Sequence, residues 1–201
     1  MNHGYADRIA HALAFAAKHG APPPRRGESP SWPTQPANIA VILARYGADE
    51  ATIVAGVLCT LLNEATPVRR QELTGKIRDK FGSQISGILT QVIEPRFDAR
   101  GKERSWEAYK LDFLAGLLLA DQQALEVTAA QQIHSCGSLL TDVRRLGAEY
   151  LSGYAPGGAS AVLRWFQEVV DTLERHPVGP RPGMLVELRA LSADLAGRIE
   201  D

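Results

Sequence analysis

The sequence has almost no cysteine: Cys59 and Cys136 are the only two in 201 residues. That is too few for a disulfide scaffold and suits a reducing compartment. It also has almost no net charge, 22 Lys and Arg against 23 Asp and Glu, so neither a nucleic-acid footprint nor a surface drawn to acidic lipid is expected. Long apolar runs are missing. The longest, residues 113–120, makes about two helical turns, against the roughly 20 residues needed to span a bilayer. The weakly apolar stretch 9–17 is broken by His11, preceded by Asp7 and led by no basic segment. That argues against a cleaved leader and predicts a cytoplasmic protein. Period-two alternation, the mark of strands, is absent too. So are a Gly-rich loop ending in Gly-Lys-Ser/Thr, a Gly-x-Ser-x-Gly elbow, a Cys-x-x-Cys pair and a His-Glu-x-x-His helix.

What is present is apolar residues at helical spacing, in a chain that is 45% hydrophobic and can build a core. Helices are predicted over residues 5–18, 36–46, 68–81, 83–94, 106–120, 121–146, 162–175 and 184–199. Another follows Asp49, a good N-cap, and carries Ile53, Val54, Val57, Leu58, Leu61 and Leu62. That stripe is wide enough to make this helix central. The stretches 20–33, 96–105, 153–159 and 176–183, rich in Pro, Gly or charge, read as loops. The expectation is an all-α bundle of about ten helices. Residues 1–150 form its main domain, and a C-terminal helical pair, 151–201, packs on the same domain.

Several short segments then follow in a specific order. His19-Gly20 ends the first helix, and the next loop holds Arg25-Arg26-Gly27 and Trp32 ahead of Gln35-Pro36. After these come Ala55-Gly56-Val57-Leu58-Cys59-Thr60-Leu61-Leu62-Asn63-Glu64, Phe81-Gly82, and Val127-Thr128-Ala129-Ala130-Gln131-Gln132-Ile133-His134-Ser135. This succession resembles the HD-domain hydrolases of the RelA/SpoT type, which remove the 3′ pyrophosphate from guanosine tetra- and pentaphosphate. The resemblance runs over roughly residues 5–150 and implies an HD-domain helical bundle.

In active members of that family a His-Pro pair, a His-Asp pair and a later Asp hold a divalent ion, usually manganese. The resemblance puts Gln35 at the first His, Cys59 at the second, Thr60 at its Asp and Gln131 at the last Asp. All four positions have changed. The Glu-Asp pair that handles the attacking water becomes Asn63-Glu64, so one carboxylate survives. A Leu-His-Asn sequence becomes Ile133-His134-Ser135, so its His is kept. Arg25 and Arg26 fall where relatives contact the guanine base or phosphates, although the loop before Gln35 is about two residues longer than usual. Lys110 matches a basic position that faces the phosphates.

A hard divalent ion needs carboxylates and imidazoles, for donor atoms and for charge compensation. Gln35, Thr60 and Gln131 are neutral, weak donors, and Cys59 alone cannot build a zinc site. Without the metal no water is activated in the family's manner, and Asn63 is no general base. The expectation is therefore a protein with no metal, cofactor or catalytic residue, in which the chemistry has been abandoned and a binding or regulatory role remains. Its ligand pocket would use Arg25, Arg26, Asn63, Glu64, Lys110 and His134, with Glu64 and Lys110 paired across it. The partner would be a guanine nucleotide, another anionic small molecule, or another protein. One alternative is a hydrolase with a remodelled site, in which Cys59 and His134 form a thiol–imidazole pair acting on a nucleotide or phosphorylated small molecule. Another is a purely structural partner docking through the terminal helices.

Overall fold

The structure, a computed structural model, describes residues 6–20 and 34–200, apart from the Glu200 side chain. Its helices are α1 (Asp7–His19), α2 (Thr34–Arg45), α3 (Glu50–Glu64), α4 (Pro67–Phe81), α5 (Ser83–Val92), α6 (Trp106–Leu117), α7 (Gln122–Leu146), α8 (Gly158–Arg175) and α9 (Pro182–Glu200). A 3₁₀ turn, Ala148–Gly153, precedes α8. No helix among the described residues is long and apolar enough to cross a membrane. The all-α expectation holds. The chain divides into two compact units, Met1–Ile93 and Glu94–Asp201.

Local chemistry sets most of the boundaries. Asp49 Oδ1 accepts from Thr52 N at 2.8 Å, and Asp121 Oδ1 accepts from Ala124 N at 2.9 Å, which starts α3 and α7 as N-caps should. Pro67 occupies the first turn of α4, where its missing N–H costs nothing, and Gly82, at φ 94°, ends that helix. α5 stops at Val92, two residues short of the expected end, because Pro95 disfavours helical backbone just before it and Ile93 is already extended. α8 begins at Gly158, four residues before its expected start.

The stretch 96–105 is more ordered than the exposed loop expected from its charge. Phe97 and Glu103 form an antiparallel bridge, and Asp98 N donates to Lys102 O at 2.9 Å. Asp98 Oδ1 accepts from the backbone N–H groups of Arg100 and Lys102 at 2.8 and 2.9 Å, closing the turn from inside.

In the first unit α3 is the centre, packed against α1, α2, α4 and α5, with every residue from 51 to 62 buried. Gly56 permits the closest of these approaches. A Cβ there would lie 2.4 Å from Leu43 Cδ1 and 3.0 Å from Ile39 Cγ2. In the second unit α7 is the long spine, packed mainly against α9, while α8 lies against α9 and the 3₁₀ turn. α7 is buried from 124 to 133 and carries Glu126, Thr128, Gln131 and Gln132 in that stretch. Trp165 Nε1 donates to Gln132 Oε1 at 3.0 Å, and Arg181 Nε lies 3.1 Å from Glu126 Oε1, so two of those polar groups are held.

Candidate functional site

The residues singled out in the sequence fall into both units. Gln35, Cys59, Thr60, Asn63 and Glu64 belong to the first; Lys110, Gln131 and His134 belong to the second. Arg25, Arg26 and Trp32 lie outside the described residues.

Cys59 and Thr60 sit on the buried stretch of α3, 0% and 2% exposed. The Cys59 thiol donates to Gly56 O at 3.0 Å, one turn back. Burial pushes its pKa up to about 12, against smaller opposing effects from Thr60. Such a thiol is protonated at neutral pH and has the character of a small core residue. The geometry therefore speaks against an activated Cys59 nucleophile. Thr60 Oγ1 is buried and has no hydrogen-bond partner of normal geometry among the described residues.

One turn on, the α3 environment changes. Asn63 is half-buried, with Nδ2 3.5 Å from Val92 O, and Glu64 is exposed. Arg70 has Nε donating to Leu62 O at 2.8 Å. It thus satisfies a carbonyl in the last turn of α3, where a cation is favoured by the helix dipole.

On α7, Gln131 is buried and His134 is half-buried, one turn apart. Cys136 is buried and free, and burial raises its thiol to about 12 as well.

Lys110, near the middle of α6, is enclosed. Its Nζ lies 2.5 Å from Glu94 Oε1 and 3.8 Å from the centre of the Trp165 ring. Trp106 and Tyr109 add rings at 5.7 and 5.6 Å. Both side chains of the ion pair are only 13% exposed. Glu94 also lies 3.4 Å from Arg96 Nε. Burial lowers the Lys110 pKa, and Glu94 opposes that shift. Lys110 thus pairs with Glu94 instead of the expected Glu64, and a phosphate would have to displace that carboxylate to reach it. Only the Trp106/Lys110 spacing, four residues on one helix, was visible locally; Glu94 and Trp165 come from other segments.

The residues that the resemblance puts at the family's metal positions, two amides, a hydroxyl and a protonated thiol, do not suit a hard divalent ion. Among the described residues no three His, Cys, Asp or Glu side chains gather closely enough to hold an ion.

This order of helices, with no strand among the described residues, is that of an HD-type all-α protein. The family model described as HD domain matches residues 12–156, and the chain belongs to that family. Its fold is similar to that of a metazoan ortholog of SpoT that hydrolyses ppGpp, at 15% identity and a TM-score of 0.69, covering 94% of this chain and 96% of that one. It is also similar to lmo0812 from Listeria monocytogenes EGD-e, at 19% identity and a TM-score of 0.64, covering 83% and 99% of the two chains. No curated protein matches the sequence.

Proposed function

We propose that this protein is a non-catalytic HD-domain member, derived from a guanosine-polyphosphate hydrolase, which binds a ligand and does not hydrolyse it. The observation that carries this reading is the joint replacement of four metal-ligand positions by Gln35, Cys59, Thr60 and Gln131. One substitution would be a tuned site. Four together remove both the charge and the donors that a divalent ion requires. The burial of Cys59 and its raised pKa weigh against the rival reading, a hydrolase that uses Cys59 with His134.

The SpoT ortholog of similar fold hydrolyses ppGpp, so a guanine nucleotide or a related anionic small molecule is the ligand class to try first. Asn63, Glu64 and His134 are the proposed contacts from the described residues, with Arg25 and Arg26 supplying positive charge to the phosphates. Lys110 joins them only if a ligand draws it away from Glu94. A cytoplasmic setting suits two free, buried cysteines.

The test is to strip the protein of metal, refill it with manganese, and assay guanosine tetraphosphate for release of pyrophosphate while following binding by calorimetry. No turnover is expected, nor any manganese dependence of nucleotide binding. Turnover at an ordinary enzymatic rate, about 1 per second or more, would overturn the reading.

A further inference from the structure

Within the first unit, α1 and α4 line a recess of about 560 Å³ that includes none of the altered metal positions. Two contacts frame it. Phe15 meets Phe81 edge-on at 5.6 Å, and Arg69 Nη2 lies 3.2 Å from His19 Nδ1. Between them α1 contributes Lys18 and His19, and α4 contributes Lys76 and Lys80 on successive turns. Like charges thus face one another across the recess from both walls.

The charge is not balanced from within. Glu72 takes up Lys76 at 2.6 Å and Arg69 at 2.7 Å, and those two bonds hold its carboxyl at about 2. Asp79 is the one carboxylate in the lining, and His11, at the rim, lies 3.5 Å from Asp7. Lys18 has no carboxylate within salt-bridge range among the described residues, and Lys80 has only the Phe15 ring, 6.0 Å from its ammonium. The His19 pKa is lowered first by burial and then by Lys76, Arg69 and Lys18, so the imidazole senses the same positive field. Opposed cations of this kind repel one another until an anion bridges them.

We propose that the α1–α4 recess is a binding site for a small molecule carrying adjacent phosphates, separate from the altered HD site and independent of the function proposed above. Its volume lies within the range of small-molecule sites. The lining cations are ammonium groups, point charges that suit tetrahedral phosphate oxygens better than the planar fork of a carboxylate, for which guanidinium groups are the usual choice. Two ammoniums a helix turn apart on α4, faced by Lys18 on α1, favour a dianion pair over a single phosphate.

Calorimetry with pyrophosphate, orthophosphate and citrate tests this, at about 50 and about 200 mM salt. Pyrophosphate should bind the unaltered protein, more tightly than orthophosphate or citrate and more weakly at the higher salt. The Lys18→Gln/Lys80→Gln variant, altered only at exposed positions, should bind it at least roughly tenfold more weakly. Asn63→Ala/His134→Ala, which removes contacts of the altered HD site, should bind it unchanged. In ring NMR, pyrophosphate should raise the His19 titration midpoint, since an anion favours the imidazolium. Absence of binding at low salt, equal binding of citrate, or retained affinity in the lysine variant would overturn the proposal. Loss of affinity only in the Asn63/His134 variant would assign the phosphate to the HD site and overturn it too.

Discussion

The Lys110 ammonium sits 3.8 Å from the centre of the Trp165 ring and 2.5 Å from Glu94 Oε1. Charge, carboxylate and aromatic face together hold α6, α8 and the segment before residue 96 in one cluster. A desolvated cation over an indole gains more than an exposed one, about 2 kcal/mol.

Removing one partner strands the other. Lys110→Met should destabilise the protein by about 3 kcal/mol, because Glu94 is left in a largely buried site without its closest cation. Glu94→Gln should cost less, since the neutral amide still accepts a hydrogen bond. The double variant should cost less than the sum of the two singles, which urea denaturation of the four proteins would measure. Additive losses would mean that the pair is not coupled.

The thiols should be inert. With both held at about 12 and both buried, Cys59 and Cys136 should resist alkylation at pH 8 in the folded protein and react at once in denaturant. His134→Ala should leave the native rate unchanged. Rapid labelling of Cys59 that slows in that variant would revive the thiol–imidazole reading.

Close packing of α2 on α3 depends on Gly56. Gly56→Val should destabilise by at least about 2 kcal/mol, because the added methyls would drive into Leu43 and Ile39, both 0% exposed. Thermal denaturation reads this directly. A neutral result would mean that the two helices can part without cost.

Placing a carboxylate back on α3 by itself should do harm. Thr60→Asp puts a charge where the present hydroxyl already lacks a hydrogen-bond partner, and should cost about 3 kcal/mol at neutral pH. The penalty should shrink in acid, where the carboxyl is protonated on both sides of the folding equilibrium. Manganese should not rescue the variant, since the other three ligands are still missing; rescue by manganese alone would contradict the account of the donor set.

His19 gives a pH dependence of known sign. Its folded pKa lies below the ordinary 6.5, so the unfolded chain binds the proton more readily. His19 therefore favours unfolding as pH falls through 6.5, an effect complete once pH drops below the folded value. His19→Gln should flatten that part of the stability profile, seen as denaturation midpoints that converge with the parent protein above neutral pH and exceed it below.

What the sequence made legible is mostly local. Asp49 and Asp121 announce helix starts through their own side chains, and Gly82 announces an end through its backbone. Residues 35, 59, 60 and 131 stood out through the order of short motifs that resembles a family, and not through the helical period. The Lys110 cluster was not legible, since Glu94 and Trp165 approach it from distant segments. Neither was the Asp98 turn, where a charged side chain folds back on its own backbone instead of facing water. The α1–α4 recess was missed because Lys76 and Lys80 look like an ordinary solvated face until α1 is laid opposite them with Lys18.

The burial of α3 from residue 51 to 62 has a historical consequence. A helix with no outer face offers no harmless position at which to try a charged residue. On the reading proposed above, a carboxylate placed at residue 60 would arrive as a liability before it could be of use, unless Gln35 and Gln131 on other helices changed with it. The burial of this helix would then work as a ratchet, easing changes that improve the core and penalising those that bring a charge into it.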